Sequence, residues 1–322
     1  MQSSGQSFMP GQASGAVGFQ RILVAIKPWE HGLPLAAAHA RELARSPGAT
    51  IKLVSTVYDA RLAGARERGE DKAVARADRM VAMVRAELER LAPSMRERGA
   101  SVTSEVVWDA SVHGGILSVA RAWNASIVVV GVHEQRPLHT RLTDTDWQLM
   151  RHVPCPLLLV KDPVFGGYGT LIAAVDPLHA HAEPLGLDRA VLAAGRTFAR
   201  AFGSTLRVVY AYPGAAAFEL ASAVQVAPGV FYGTENVRAL HERAVTELVD
   251  QYGVGPGEID LVEARPIDAI LDTITRRRAH LVVVGVPQRR GRLAAVVGST
   301  AEAVAAEAAC DVLLVPVAAD QR

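Results

Sequence analysis

Two kinds of hydrophobic pattern alternate along the chain. One is the short, unbroken apolar run. Residues 22–26, 127–132, 157–160, 171–175, 281–286 and 312–315 are almost wholly Val, Ile, Leu and Ala, with small breaks at glycine. Such runs lack the in-out alternation of a half-exposed strand and read as strands buried on both faces of a parallel sheet. The other pattern has the helical period. Residues 34–44 carry Leu35, Ala38, His39 and Leu43 at helical spacing. Residues 73–91 place Val74, Ala77, Val81, Val84 and Leu88 on one stripe with Arg and Glu elsewhere, and residues 188–202 and 237–252 do the same. Strands alternating with helices predict βαβ crossovers and an α/β fold.

The pattern occurs twice. RILVAIKP at 21–28 matches TLIAAVDP at 170–177, SIVVVGVHEQ at 126–135 matches HLVVVGVPQR at 280–289, and PCPLLLVKD at 154–162 matches ACDVLLVPV at 309–317. The same order in both halves predicts two tandem doubly wound parallel-sheet domains, at 19–162 and 168–318, joined by a Pro- and Gly-bearing linker. Residues 1–18, rich in Ser, Gly and Gln, read as a disordered tail without the basic and apolar regions of a signal peptide. The last strand of each half, 157–160 and 312–315, ends a sheet and leaves backbone groups to pair. The two are expected to pair with each other and pack the halves as a pseudo-two-fold dimer.

Composition narrows the class. Lys and Arg number 34 against 33 Asp and Glu, so no basic excess marks a nucleic-acid or membrane-surface binder. No apolar run reaches membrane-spanning length. The two cysteines, Cys155 and Cys310, build no disulfide framework, which fits a reducing, cytoplasmic compartment.

In open α/β sheets ligands bind beyond the carboxyl ends of the strands, where the strand order reverses. In the second half Gly285 ends one such strand, and Gly298, Ser299 and Thr300 open the following helical run. Glycines allow close backbone approach, and a helix N-terminus offers unpaired N–H groups and partial positive charge to a phosphate. Arg289, Arg290 and Arg292 add cationic reach. Ser299 and Glu302 also have capping-box spacing, so the same residues can serve their own helix.

This segment resembles the nucleotide motif of the universal stress proteins: Gly, two residues, Gly, nine residues, then Gly and Ser or Thr. Gly285, Gly298 and Ser299 match it, while Gln288 stands where the second glycine belongs and Gly291 lies three residues on. The resemblance also implies an acid after the first strand, matched by Asp176, and a backbone contact to adenine, matched by Ala211. It covers nearly the whole chain after the first twenty residues, in the family's tandem form. It implies the adenine nucleotide alpha hydrolase-like fold and a cytoplasmic stress-response protein with no assigned reaction. The implied ligand is ATP, with or without Mg2+, in the second half only.

The first half departs from the motif. Glu134 and Asp144 replace its second and third glycines, and Lys27 stands where Asp176 stands in the second half. A carboxylate about 4 Å from a phosphate charge costs roughly 4 kcal/mol at an effective dielectric near 20, about three decades of affinity. Asp144 can instead serve the helix N-terminus, and Thr145 with Gln148 keeps a capping-box spacing. The first half therefore reads as a structural partner.

The remaining signals are weak. His179 and His181, and His133, His139 and Asp144, fall short of a four-ligand zinc set and read as solvated loop residues. Trp108, Trp123 and Trp147 read as core, and both cysteines as structural. Neither a G-x-S-x-G elbow nor a P-loop occurs. Three functions stay open on the residues: a non-enzymatic nucleotide-binding stress factor, an ATP hydrolase lacking an evident base, and an adaptor or carrier for a protein partner or amphiphile. The first is preferred, as a monomer or homodimer around the intramolecular pseudo-dimer.

Overall fold

The computed structural model describes residues 19–28, 34–44, 48–96, 99–132, 142–161, 167–178, 186–213, 234–288 and 298–318. The predicted tail, His133, Glu134, His139, His179, His181, Arg289, Arg290, Gly291 and Arg292 lie outside them.

The first half runs β1 (Arg21–Ala25), α1 (Leu35–Leu43), β2 (Thr50–Val57), α2 (Ala60–Glu67), α3 (Asp71–Arg96), β3 (Ser101–Trp108), α4 (Val112–Ala122), β4 (Ile127–Gly131), α5 (Asp144–His152) and β5 (Leu157–Val160). The second runs β6 (Thr170–Ala174), α6 (Leu187–Phe202), β7 (Thr205–Tyr212), α7 (Thr234–Val249), β8 (Ile259–Glu263), α8 (Pro266–Arg277), β9 (Leu281–Gln288), α9 (Ser299–Glu307) and β10 (Asp311–Ala318). The apolar runs became strands and the periodic stretches became helices. The stripe of α3 is rotated slightly from the predicted one: Ala73, Ala77, Val84, Leu88, Ala92 and Met95 are buried, while Val74 and Val81 are half-exposed.

All ten strands form one sheet in the order β3-β2-β1-β4-β5-β10-β9-β6-β7-β8. Each half is parallel within itself, and the order of the second mirrors that of the first. The halves meet through one antiparallel pair, Leu159 with Val312, Leu158 with Leu313 and Leu157 with Leu314. This is the predicted pseudo-two-fold packing. Leu157–Val160 and Val312–Leu314 are 0–1 % exposed, so removing these strands from one another would expose side chains each worth about 1.5–3 kcal/mol of burial. The apolar layers on both faces of the sheet run across the seam. One joins Leu158 and Leu313 to α1, α3, α6 and α7, and the other joins Leu157, Leu159, Val312 and Leu314 to α4, α5, α8 and α9.

A polar cluster sits in this otherwise apolar seam. Asp311 Oδ1 accepts the Lys161 backbone N–H at 2.8 Å, and Asp311 Oδ2 accepts the Tyr168 hydroxyl at 2.7 Å. The same Oδ2 is 3.2 Å from His39 Nε2. The partners come from α1, from the end of β5 and from the linker, so one carboxylate of the second half ties down three parts of the chain before it. Lys161 itself is buried and donates from Nζ to the Ala308 carbonyl at 2.8 Å.

Candidate functional site

In the second half the sheet order reverses at β6, which has β7 on one side and β9 on the other. Asp176, two residues beyond β6, is half-buried at this switch point, where the fold places ligand crevices. Its backbone N–H donates to Asp188 Oδ1 at 2.9 Å. Asp188 is itself buried in the first turn of α6, next to the left-handed Gly186 at the helix N-cap. The sequence reading missed Asp188. Its only local signal is an acid at a helix start, a place where acids are common for the helix's own sake.

Gly285 lies inside β9, paired with Val315. A Cβ built on it would meet three Leu187 side-chain atoms at 2.6–2.8 Å, so close approach of α6 accounts for this glycine without any ligand. The strand also continues past it: Val286, Pro287 and Gln288 pair with Pro316, Val317 and Ala318. The position of the motif's second glycine is thus strand backbone at Gln288, whose side chain lies outside the described residues. Pro287 is tolerated because β6 pairs with β9 only as far as Val283, leaving β10 as its one strand neighbour at that level among the described residues. Ala211 is a half-buried residue of β7 opposite Val262.

Gly298 is the N-cap of α9, with φ −58° and ψ 137° and no side-chain cap. A Cβ there would meet only the Pro287 ring, at 3.7 and 3.9 Å, an ordinary contact. Ser299 is the first helical residue and exposed, and Thr300 is half-exposed. The predicted Ser299–Glu302 capping box does not form. The helix starts one residue earlier than that box requires, with Gly298 at the cap, and Glu302 turns to Arg151 of the first half at 3.5 Å. The first N–H groups of α9 are left without a side-chain acceptor from the cap position.

The equivalent helix of the first half is closed. Thr143 caps α5: its Oγ1 accepts the Asp146 N–H at 3.3 Å, and Asp146 Oδ2 accepts the Thr143 N–H at 2.7 Å and its hydroxyl at 2.8 Å. The box is therefore Thr143–Asp146, not the predicted Thr145–Gln148, because the helix begins at Asp144. Asp144 is an exposed first-turn residue rather than the cap, and Asp146 adds a second carboxylate in that turn. Lys27, opposite number of Asp176, is exposed.

Other predicted features fall into place without chemistry. Cys155 and Cys310 are free and buried, and burial pushes each thiol up to about 12, so they are inert. Trp108 contacts Tyr58 and Arg66, Trp123 lies under Lys52, and Trp123 and Trp147 pack against the core beside α4 and α5. Among the described residues no group of three or more His, Cys, Asp and Glu could hold a metal ion.

A model of the universal stress protein family matches residues 18–161 and again residues 167–316. The chain belongs to the universal stress protein family. Its relatives include universal stress protein E of Photorhabdus laumondii, 24% identical over 300 residues covering 92% of this chain and 95% of that one. Universal stress protein E of Escherichia coli K12 is 24% identical over 299 residues, 92% and 94% of the two chains. A functionally unknown protein from Pseudomonas aeruginosa PAO1 has the same fold, with a TM-score of 0.70 at 24% identity over 93% of both chains. So does a universal stress protein from Archaeoglobus fulgidus DSM 4304, at 0.63 and 14% identity, over 92% and 98%. Family membership puts the chain in the broad class of stress-response proteins. In this universal stress protein the two halves keep one architecture and differ where the motif falls: an uncapped helix start in one, a self-capped acidic start in the other. No helix among the described residues is long and apolar enough to cross a membrane.

Proposed function

We propose that this universal stress protein is a cytoplasmic, non-catalytic stress factor that binds one adenine nucleotide, ATP with or without Mg2+, in its second half. The observation that carries the reading is the contrast between the two helix starts. At α9 the N–H groups after Gly298 have no side-chain cap and no acid before Glu302, beside the switch point that holds Asp176. At α5 Thr143 and Asp146 occupy the corresponding groups, and Asp144 and Asp146 would repel a phosphate. Nucleotide binding is then a property of one half, and the other serves as its rigid partner. Nothing in the described site offers a general base beside the Gly298 helix start, so binding without turnover is the simpler assignment.

Native mass spectrometry of the purified chain with Mg-ATP tests this. One nucleotide per chain is expected, lost in Gly298→Asp. That variant should stay folded, because a Cβ at this position meets only the Pro287 ring at van der Waals distance. Retention of nucleotide by the folded variant, or no nucleotide at millimolar ATP, would overturn the assignment. Persistent hydrolysis dependent on Asp176 would instead make the chain an enzyme.

A further inference from the structure

The two halves also meet away from the strands. Arg151, in the last turn of α5, extends Nη2 across the seam to Glu302 Oε1 of α9 at 3.5 Å. Glu302 is the one acid in the first turn of α9. Each charge suits its own helix dipole, positive at the end of α5 and negative at the start of α9, so the contact forms without strain. Its pseudo-two-fold counterpart carries no charge. Both helices have nine residues, with caps at Thr143 and Gly298, so Trp147 takes the place of Glu302 and Ala306 the place of Arg151. The ion pair is therefore made on one side of the molecule, the side with the uncapped helix start.

At that start the first intrahelical hydrogen bond runs from the Glu302 N–H to the Gly298 carbonyl at 3.0 Å. The N–H groups of Ser299, Thr300 and Ala301 lie outside the helix ladder. A helical side chain lies over the turn before its own Cα, so the Glu302 carboxylate is directed toward these donors. Ser299 and Glu302 keep capping-box spacing, and in such a box the acid accepts the N–H of the cap residue. A Glu302 free to do this would occupy the Ser299 N–H and set a negative charge where a phosphate must sit. Arg151 draws the carboxylate onto the first half instead and balances its charge.

We propose that Arg151 is a positioning residue through which the first half keeps the anion site of the second half open. Held by Arg151, Glu302 leaves the Ser299 N–H to a ligand. Released, it closes the helix start as Asp146 closes α5 by accepting the Thr143 N–H. The half whose own motif is lost thereby acts on the site of the other. The ligand part of this proposal rests on the nucleotide reading above; the hold on Glu302 does not.

The pair is partly exposed, with 27 % of the Arg151 and 33 % of the Glu302 side chain open to solvent. Its removal therefore costs little stability, and the variants stay folded. Amide hydrogen exchange on the full-length 15N-labelled chain, without ligand, reads the hold on Glu302. The Ser299 amide should exchange more slowly in Arg151→Ala than in the wild type, and the slowing should vanish when Glu302→Ala is added. A Ser299 amide whose rate ignores Arg151 would overturn the proposal. Calorimetry with Mg-ATP then reads the site. Arg151→Ala should weaken binding about threefold to fivefold, the range open to a contact of this exposure. In a Glu302→Ala background the same substitution should change nothing. An equal loss in both backgrounds would mean that Arg151 acts on the ligand or the fold directly, and no loss in either would mean that Glu302 never reaches the site; both results sink the proposal. If Mg-ATP binds neither the variants nor the wild type, the nucleotide reading fails, and the Ser299 amide alone decides the hold on Glu302.

Discussion

A single buried lysine gives this protein an unusual dependence on alkali. Lys161 is pulled down to about 8 by burial, with Cys310 and Asp311 opposing the shift. Lysine ordinarily titrates near 10.5 and cysteine near 9.0. Between about pH 8 and 10 the unfolded chain keeps the lysine proton that the folded chain has released, so this residue adds stability as pH rises. The cysteines work the other way. Both are pushed up to about 12 in the fold, so above about pH 9 the unfolded state loses thiol protons that the folded state keeps. Two thiols outweigh one amine. Urea midpoints under reducing conditions should therefore rise slightly from about pH 8 to 9 and fall beyond it, and Lys161→Met should lack the rise. A midpoint that falls from pH 8 in both proteins would show that Lys161 is charged and well solvated. Gly285 teaches a different lesson at the same scale. Its place in the motif was legible in the sequence, but the structure gives it a packing reason in the Leu187 side chain.

Elements are where the two halves diverge. Helices α5 and α9 follow equivalent strands and lead to equivalent strands, yet one start is closed by a reciprocal Thr143–Asp146 box and the other is not capped at all. The caps differ from the predicted ones by one or two residues in both halves. Several Ser, Thr and Asp residues near each start offer similar spacing, and only the point where the chain enters the helix selects among them. Thr143→Ala should cost about 1 kcal/mol of stability. Ser299→Ala should cost far less, since the exposed Ser299 caps nothing. Chemical denaturation of both variants checks this, and equal losses would mean that Ser299 supports its helix in some way the cap geometry does not show. The length of β9 was likewise beyond local pattern. Pro287 argues against a strand interior, but the extended β10 supplies a partner as far as Gln288.

Across the whole molecule the antiparallel β5–β10 pair makes one ten-stranded sheet from two five-stranded ones, with apolar layers continuous across the seam. The halves should therefore unfold as one cooperative unit. Asp311 is the polar fastener of that seam, accepting from Tyr168 and the Lys161 backbone and meeting His39. Asp311→Ala leaves those partners buried without their acceptor and should cost about 3–5 kcal/mol, the usual loss when one member of a buried charged cluster is removed. Calorimetry should show a single transition in the wild type at a higher temperature than in the variant. Two separate wild-type transitions would mean that the seam does not couple the halves.

By itself the sequence determined that this protein repeats an α/β unit, that its unbroken apolar runs are strands and its periodic stretches helices, and that two unpaired sheet ends would meet. These follow from periodicity and from the need to satisfy backbone groups, which are local and repeat-wide properties. It also put Asp176 just after a strand and Gly298 at a helix start, because motif spacing survives in one dimension. Only the tertiary structure decided which caps form, that Gly285 makes room for Leu187, that Asp188 meets the Asp176 amide and that His241 meets Tyr210. Those residues lie on different elements, 12 to 31 positions apart in the closest contacts. No periodicity links them, and only the packing of α6 and α7 on the sheet brings their charges and protons within reach of one another.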